Sequence, residues 1–261
     1  FILFVGNLLS SFLGMGREVM TAAYYGADVE MDAYLFANTI PSLFLAFIGG
    51  VFTAGFIPLF IKKRVDHSPE EASRMYSNTM NWLVLIVLML TALCYLFSDG
   101  LAAVFAVNEA SKGLIEQLLW ILLPSILFFG VSFAQTAVLN SLHHFTTPAF
   151  LSVLNNVVVI AFIVLFHQQW GVASIAVGFV IGTVLQVLIQ LPIMRKLGIR
   201  YRWHLSLKED YLKKLFIMSL PIIGLVLIDQ CIMLATRVFA AYLDAGSASS
   251  LNYAHRIIML P

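Results

Sequence analysis

The sequence predicts an all-α, polytopic membrane protein with about eight transmembrane helices, and three observations carry that prediction. Of its 261 residues, 61% are hydrophobic and only 11% charged, with a mean hydropathy of +0.92; soluble domains carry about 25% charged residues. The apolar residues gather into runs close to the ~20 residues that cross a hydrocarbon core. A segment near the start, "AAYYGADVEMDAYLFANTI" (22–40), is echoed with one gap by "AAYLDAGSASSLNYAHRI" (240–257), as a duplicated helical unit would be.

The runs place spans at about 1–24, 32–61, 77–98, 113–141, 148–167, 171–194, 213–243 and 248–261. The first holds Arg17 and Glu18 in its body, where each charge costs roughly 2.5–3.5 kcal/mol on insertion scales. Something must offset that cost. The second is long and contains Pro41 and Gly49-Gly50. Proline removes a backbone donor and frees a carbonyl one turn earlier, so a kink is expected, tolerable in lipid where protein or a wet cavity covers it. The two echoed segments stand six spans apart and so share an orientation. Residues 1–212 are therefore expected to form a six-helix lobe, and 213–261 the first two helices of a second. Without an initiator Met, and ending inside a span, the chain is expected to be part of a longer protein. No small-residue cleavage pattern follows a short apolar region, so no signal peptide is expected.

Orientation follows from the basic residues. "KKRVDHSPEEASR" holds four and "RKLGIRYRWHLSLKEDYLKK" seven, both on one side if the spans alternate, while the opposite connections hold only Lys112. By the positive-inside rule the basic side, and with it the N-terminus, is cytoplasmic. The remaining basic residues, Arg17, Arg237 and Arg256, all fall inside spans.

At about 3.6 residues per turn, Ser10, Gly14, Arg17 and Thr21 share a stripe of the first span. Asp32 and Thr39 share a face of the second, and Ser249, Asn252 and Arg256 repeat the i, i+3, i+7 pattern in the last. Such stripes face helices or water. One reading makes the charges interhelical glue: Arg17 with Glu18 or Asp32, Arg237 with Asp229. The other makes them a cationic cavity for an anionic substrate, since the planar guanidinium donates two parallel hydrogen bonds to phosphate. His255 beside Arg256 joins the cavity list, and Asp229 is a weak candidate for ion coupling. Glu116 reads as interfacial. The adjacent histidines of "HHFTTPAF" share no helical face and read as a turn, and His204 with the basic 195–214 loop reads as a cytoplasmic surface that meets anionic lipid. Cys94 and Cys231 lie in apolar runs and read as small buried hydrophobes, not a disulfide or metal pair. No phosphate-binding loop, nucleophile–base spacing or metal cluster is visible, so neither an enzyme nor a cofactor is expected.

Four segments, "GREVMTAAYYGADVEMDAYLFANTIPSLF", "VFTAGFIPLF", "LNSLHHFTTPAFLSVLNN" and "GSASSLNYAHRIIMLP", resemble the MurJ/MviN family of lipid II flippases. That family belongs to the MOP exporter superfamily, beside MATE drug exporters. The resemblance implies two six-helix lobes around a cationic cavity. It implies export of an undecaprenyl-pyrophosphate-linked peptidoglycan precursor across the bacterial cytoplasmic membrane, by alternating access. Residue by residue, it carries the family's first-helix arginine onto Arg17, the acid opening its second helix onto Asp32, and the arginine of its "YA-x-R" motif onto Arg256. Arg237 stands where many members also carry arginine, although here Thr236 precedes it instead of an acid. Two departures lower the cavity's positive charge: Ser11 stands where well-known members have a further arginine, and "SLFLAFIGG" after Pro41 holds no charge.

The expected substrate-binding set is thus Arg17, Asp32, Arg256 and Arg237, with Ser10, Gly14, Thr39, Asn252 and His255 lining the cavity. The expected partners are the lipid-linked substrate and membrane lipids, with no nucleic acid and a monomer sufficient to enclose the cavity. Three other functions compete: a flippase for another polyprenyl-linked glycan, an ion-coupled drug antiporter of the same superfamily, and a non-transporting scaffold in cell-wall assembly. An antiporter for cations favours acidic cavities, against the arginines here; a scaffold would use them as glue.

Overall fold

A computed structural model describes the backbone of residues 2–106 and 108–258 and the side chains of 4–106 and 108–255. Among the described residues every regular element is helical: α1 (Ile2–Tyr25), α2 (Val29–Val51), α3 (Ile57–Asp66), α4 (Pro69–Leu96), α5 (Ser98–Ala103), α6 (Glu109–Leu122), α7 (Pro124–Ser141), α8 (Thr146–Trp170), α9 (Ala173–Lys196), α10 (Asp210–Ala241) and α11 (Ser247–Ile258). Six segments are long and apolar enough to cross a bilayer, namely 29–66, 69–96, 109–141, 146–170, 173–196 and 210–241. The helices α1, with its internal Arg17 and Glu18, and α11, with 12 residues, supply the remaining two expected spans without reaching that apolar standard.

Local chemistry sets the helix ends. Asp28 caps α2, its carboxylate accepting from the Val29 N–H at 2.7 Å. Ser68 caps α4 through the Glu71 N–H, with Pro69 in the first turn, where its missing donor costs nothing. Asn108 and Ser111 form a capping box at the start of α6.

Two expected spans are assembled from pieces. The second continues through a π turn, Phe52–Phe56, into α3. Insertions of this kind recur at functional sites in helices. The fourth joins α6 to α7 at Leu123-Pro124. The short α5 was not legible in the hydropathy.

Alternate connections meet at opposite ends of the bundle. At the basic end, Lys63 pairs with Glu71 at 2.7 Å, and the 199–209 connection lies on α4. At the other end, named the outer end after the orientation expected from the basic residues, Tyr25 bonds Ser174 at 2.6 Å and Tyr24 packs on His167. Each end has its own apolar core: Phe36, Phe105, Leu118 and Ile163 on the outer side, Phe56, Phe60, Met75 and Val138 on the basic side. Between α7 and α9 runs a buried polar ladder. Gln190 donates to Ser132 Oγ at 2.9 Å and accepts from Thr136, while Gln186 donates to the Leu151 carbonyl at 3.0 Å.

The helix α10 packs along α2 and the π turn. Gly55 makes this approach possible, because a Cβ there would stand 2.6 Å from Ser219 Oγ and 3.0 Å from the Leu215 carbonyl oxygen. Pro221 lies inside α10 just beyond this crossing.

The cysteines need a correction. Cys94 is buried as expected, but Cys231 is exposed, on the face of α10 turned away from α2. An apolar run does not reveal which of its faces meets protein and which meets lipid. The "HH" segment is a turn, with His144 bonded to Thr147. Glu116 accepts from Ser98 at 2.7 Å near the outer end.

Candidate functional site

The two echoed segments, which form the α1–α2 and α10–α11 connections, pack against each other at the outer end. The Asp32 carboxylate, 7% exposed, accepts the Gly246 N–H at 2.8 Å and the Ser249 N–H at 2.7 Å. These are among the donors that an α-helix N-terminus leaves without intrahelical partners. A carboxylate there also complements the helix dipole. A residue of α2 therefore caps α11, 214 and 217 positions away. Gly246 has φ +85°, and its Cα faces the Ala27 carbonyl so closely that a side chain would collide with it. The Tyr253 hydroxyl donates to the Gly26 carbonyl at 3.0 Å, which completes the closure. Aligned on Ile40 and Ile257, Asp32 and Ser249 are equivalent positions of the two echoes, each eight residues upstream.

Below this closure stand the arginines. Arg17 pairs with its neighbour Glu18 at 2.8 Å, both partly buried. Arg237 reaches across to α11 and donates to Asn252 Oδ1 at 3.3 Å. Sequence reasoning had offered Arg17–Asp32 and Arg237–Asp229 as pairs; the structure makes neither. Asp32 serves backbone donors instead of a guanidinium, and Asp229 is exposed on α10. At about 1.5 Å per residue, Arg17 lies roughly 12 Å below the outer end of α1, and position 256 lies at a similar depth on α11. The Arg256 side chain is outside the described residues.

The expected lining residues separate. Ser10 and Gly14 face α8, where Asn156 Nδ2 donates to the Ser10 carbonyl at 3.2 Å and lies 3.6 Å from where a Gly14 Cβ would be. Thr39 is fully buried and bonds back to the Leu35 carbonyl. Thr39 is thus enclosed by the bundle, whereas Ser10 and Gly14 are partly buried beside α8. Asn252 meets Arg237, and His255 is exposed. The capping of α11 by Asp32 was missed by sequence reasoning. Its signal was available in the equivalence of Asp32 and Ser249, but a backbone partner leaves no residue type to look for. Among the described residues no cluster of His, Cys, Asp or Glu has metal-binding geometry.

The family model for lipid II flippase MurJ matches residues 21–261. The chain belongs to the lipid II flippase MurJ family. The probable lipid II flippase MurJ of Buchnera aphidicola subsp. Acyrthosiphon pisum (strain APS) is 29% identical over 98% of this chain and 51% of its own length. The chain thus spans about half the length of the curated MurJ relatives it matches. A solved structure described as lipid II flippase MurJ in an inward closed conformation superposes with a TM-score of 0.83 at 26% identity, over 99% of this chain and 54% of that one. An inward-facing multidrug MATE transporter of the MOP superfamily shares the fold, with a TM-score of 0.77 at 14% identity over 96% of this chain and 58% of its own. The all-α, MOP-type membrane fold read from the sequence is the one observed.

Proposed function

We propose that this chain forms the first lobe, and the start of the second, of a flippase that moves lipid II across the bacterial cytoplasmic membrane by alternating access. The lobes divide near residue 212, the basic end faces the cytoplasm, and the N-terminus lies on that side. The observation that carries the reading is a closed outer end, sealed by Asp32 on the α11 N-terminus, with arginines directly beneath it. A diphosphate arriving from the basic side meets Arg17 paired with Glu18 and Arg237 bonded to the neutral amide of Asn252, and it offers Arg237 a charge-assisted hydrogen bond that the amide does not. Arg256, at matching depth, completes the clamp from the other echo. The substrate drives the switch only through contacts that differ between states. Drawing Arg237 onto phosphate releases Asn252, hence α11, and weakens the outer closure.

A second reading, a flippase for a different polyprenyl-linked glycan, is favoured by Ser11 and the uncharged "SLFLAFIGG" segment, which thin the positive charge. Complementation separates the two. The full-length protein is expressed in cells depleted of their own lipid II flippase, as wild type, Arg17→Ala and Arg256→Ala at matched levels, with growth and outer-leaflet lipid II scored. Rescue by wild type alone supports a pyrophosphate clamp. Wild type without rescue removes lipid II as cargo, and rescue by all three makes the arginines structural.

A further inference from the structure

The connection from α9 to α10 carries a second membrane-related site. Residues 199–209 contain neither helix nor strand, yet three alternate residues, 202, 204 and 206, are tied to α4 through their backbone. Ser77 Oγ accepts the Arg202 N–H at 3.1 Å, and Asn81 donates to the His204 carbonyl at 2.7 Å. Asn78 takes both backbone groups of Ser206, accepting at 2.8 Å and donating at 3.0 Å. Side-chain amides thus replace the neighbouring strand that an extended backbone requires. Backbone groups of 202, 204 and 206 turn to α4, and the Tyr201 hydroxyl joins them by donating to Asn81 Oδ1 at 2.5 Å, while the Arg202 side chain stays exposed. Trp203, Leu205 and Leu207 face outward, 78%, 40% and 72% exposed.

The depth of this strap follows from α4. Its docking residues are the last polar turns before an uncharged run from Trp82 to Phe97, which at ~1.5 Å per residue spans roughly 24 Å of the ~30 Å hydrocarbon core. The strap therefore lies at the hydrocarbon boundary, where tryptophan and tyrosine settle. Beside it, a groove of about 750 Å³ between the strap and the first turns of α4 is lined by Arg74, Arg200, Arg202, Trp203 and His204. Two acids share the lining, Glu71 paired with Lys63 and Glu70 exposed, and Arg74 lies 4.0 Å from Glu209, which leaves Arg200 and Arg202 as the cations that reach outward.

We propose that this strap is a binding site for an anionic phospholipid of the facing leaflet. Arg200 and Arg202 hold the phosphate, and Trp203, Leu205 and Leu207 rest among the acyl chains. The occupant is argued from charge and depth together: basic residues over the headgroup layer, apolar ones at the hydrocarbon edge. The orientation proposed above names the leaflet as cytoplasmic, but the site itself does not depend on transport.

The test uses the intact protein in nanodiscs of phosphatidylcholine with and without phosphatidylglycerol. A spin label at Leu207→Cys, in a Cys231→Ser background with Cys94 buried, is expected to collide with oxygen and to be shielded from an aqueous nickel reagent. Lipid retention by native mass spectrometry is expected to favour phosphatidylglycerol, and Arg200→Gln with Arg202→Gln to cut that preference about 30-fold, roughly fivefold per interfacial basic residue. Both arginines are exposed and outside the docking side-chain contacts, and Leu207→Asp gives a second, independent loss. A label open to the nickel reagent places the strap in water and overturns the proposal. Shielding from both reagents means that protein covers it, and also overturns it. Unchanged retention, or equal competition by glycerol phosphate, does the same, the latter in favour of a soluble anion. No transport is measured, so failure here leaves the flippase reading standing, and failed complementation leaves this one.

Discussion

Asp32 is the residue on which the outer closure turns. Hydrogen bonds to a charged group contribute about 1.5–3 kcal/mol each when made and cost more when one partner is left buried. Asp32→Asn keeps one acceptor and loses the charge facing the α11 dipole, so the outer end should open more often, by about 10-fold or more in population. Distance distributions between spin labels at Tyr24 and Leu243, both exposed at the outer end, would show a longer component growing in the variant; an unchanged distribution would remove Asp32 from the gate. Gly246→Ala should act in the same direction for a different reason. Its backbone sits at φ +85° and its Cα abuts Ala27, so the methyl group adds strain and a collision together. Arg17 teaches a smaller lesson. Its charge in the membrane is offset by an adjacent carboxylate on the same helix, a pairing that sequence reasoning had offered beside Asp32 and that only coordinates could choose.

Two helix crossings differ in how they are filled. The crossing of the α2 π turn with α10 depends on a missing side chain, and Pro221 follows it within α10. Gly55→Val should overpack this crossing by about 1–3 kcal/mol, read as a lowered thermal midpoint in detergent; a midpoint equal to wild type would mean that α10 slides aside freely. The α7–α9 ladder is the opposite case. Gln190 is fully buried and satisfied by Ser132, Thr136 and the Gln186 carbonyl, which locks two helices of the lobe. Gln190→Leu removes those bonds, and polar contacts between membrane helices average about 0.6 kcal/mol, with ~1–2 at the upper end. A fall of a few degrees in the same assay is expected. The strap between α9 and α10 was read from its basic composition as a lipid-facing surface, whereas its docking on Asn78 and Asn81 had no sequence signature.

At the scale of the whole chain, the duplicated connections give the proposed flippase a place to gate between its two proposed lobes. Equivalent positions, Asp32 and Ser249, meet across a pseudo-symmetric contact, one supplying a carboxylate and the other a helix N-terminus. Such a contact is either made or broken, which suits a two-state transporter better than a graded one. Joining Tyr24→Cys to Leu243→Cys with a short cleavable bifunctional reagent should therefore abolish rescue in the complementation assay, and cleavage should restore it. Rescue by the linked protein would show that the outer ends need not separate.

Hydropathy and charge determined the helical membrane fold and the alternation of basic and non-basic ends, because a hydrocarbon solvent admits few backbones and penalises each misplaced charge. The matched echo determined that two connections are equivalent. Tertiary structure alone decided that the equivalent segments face each other, that Thr39 is buried in the bundle while Ser10 and Gly14 lie partly buried against α8, that Cys231 is exposed, and that Asp32 binds backbone and not arginine. The reason is common to all four. Periodicity reports which residues share a helical face, but what that face meets is set by the rotation and packing of whole helices. Backbone N–H groups, the partners Asp32 found, are the same at every position of any sequence.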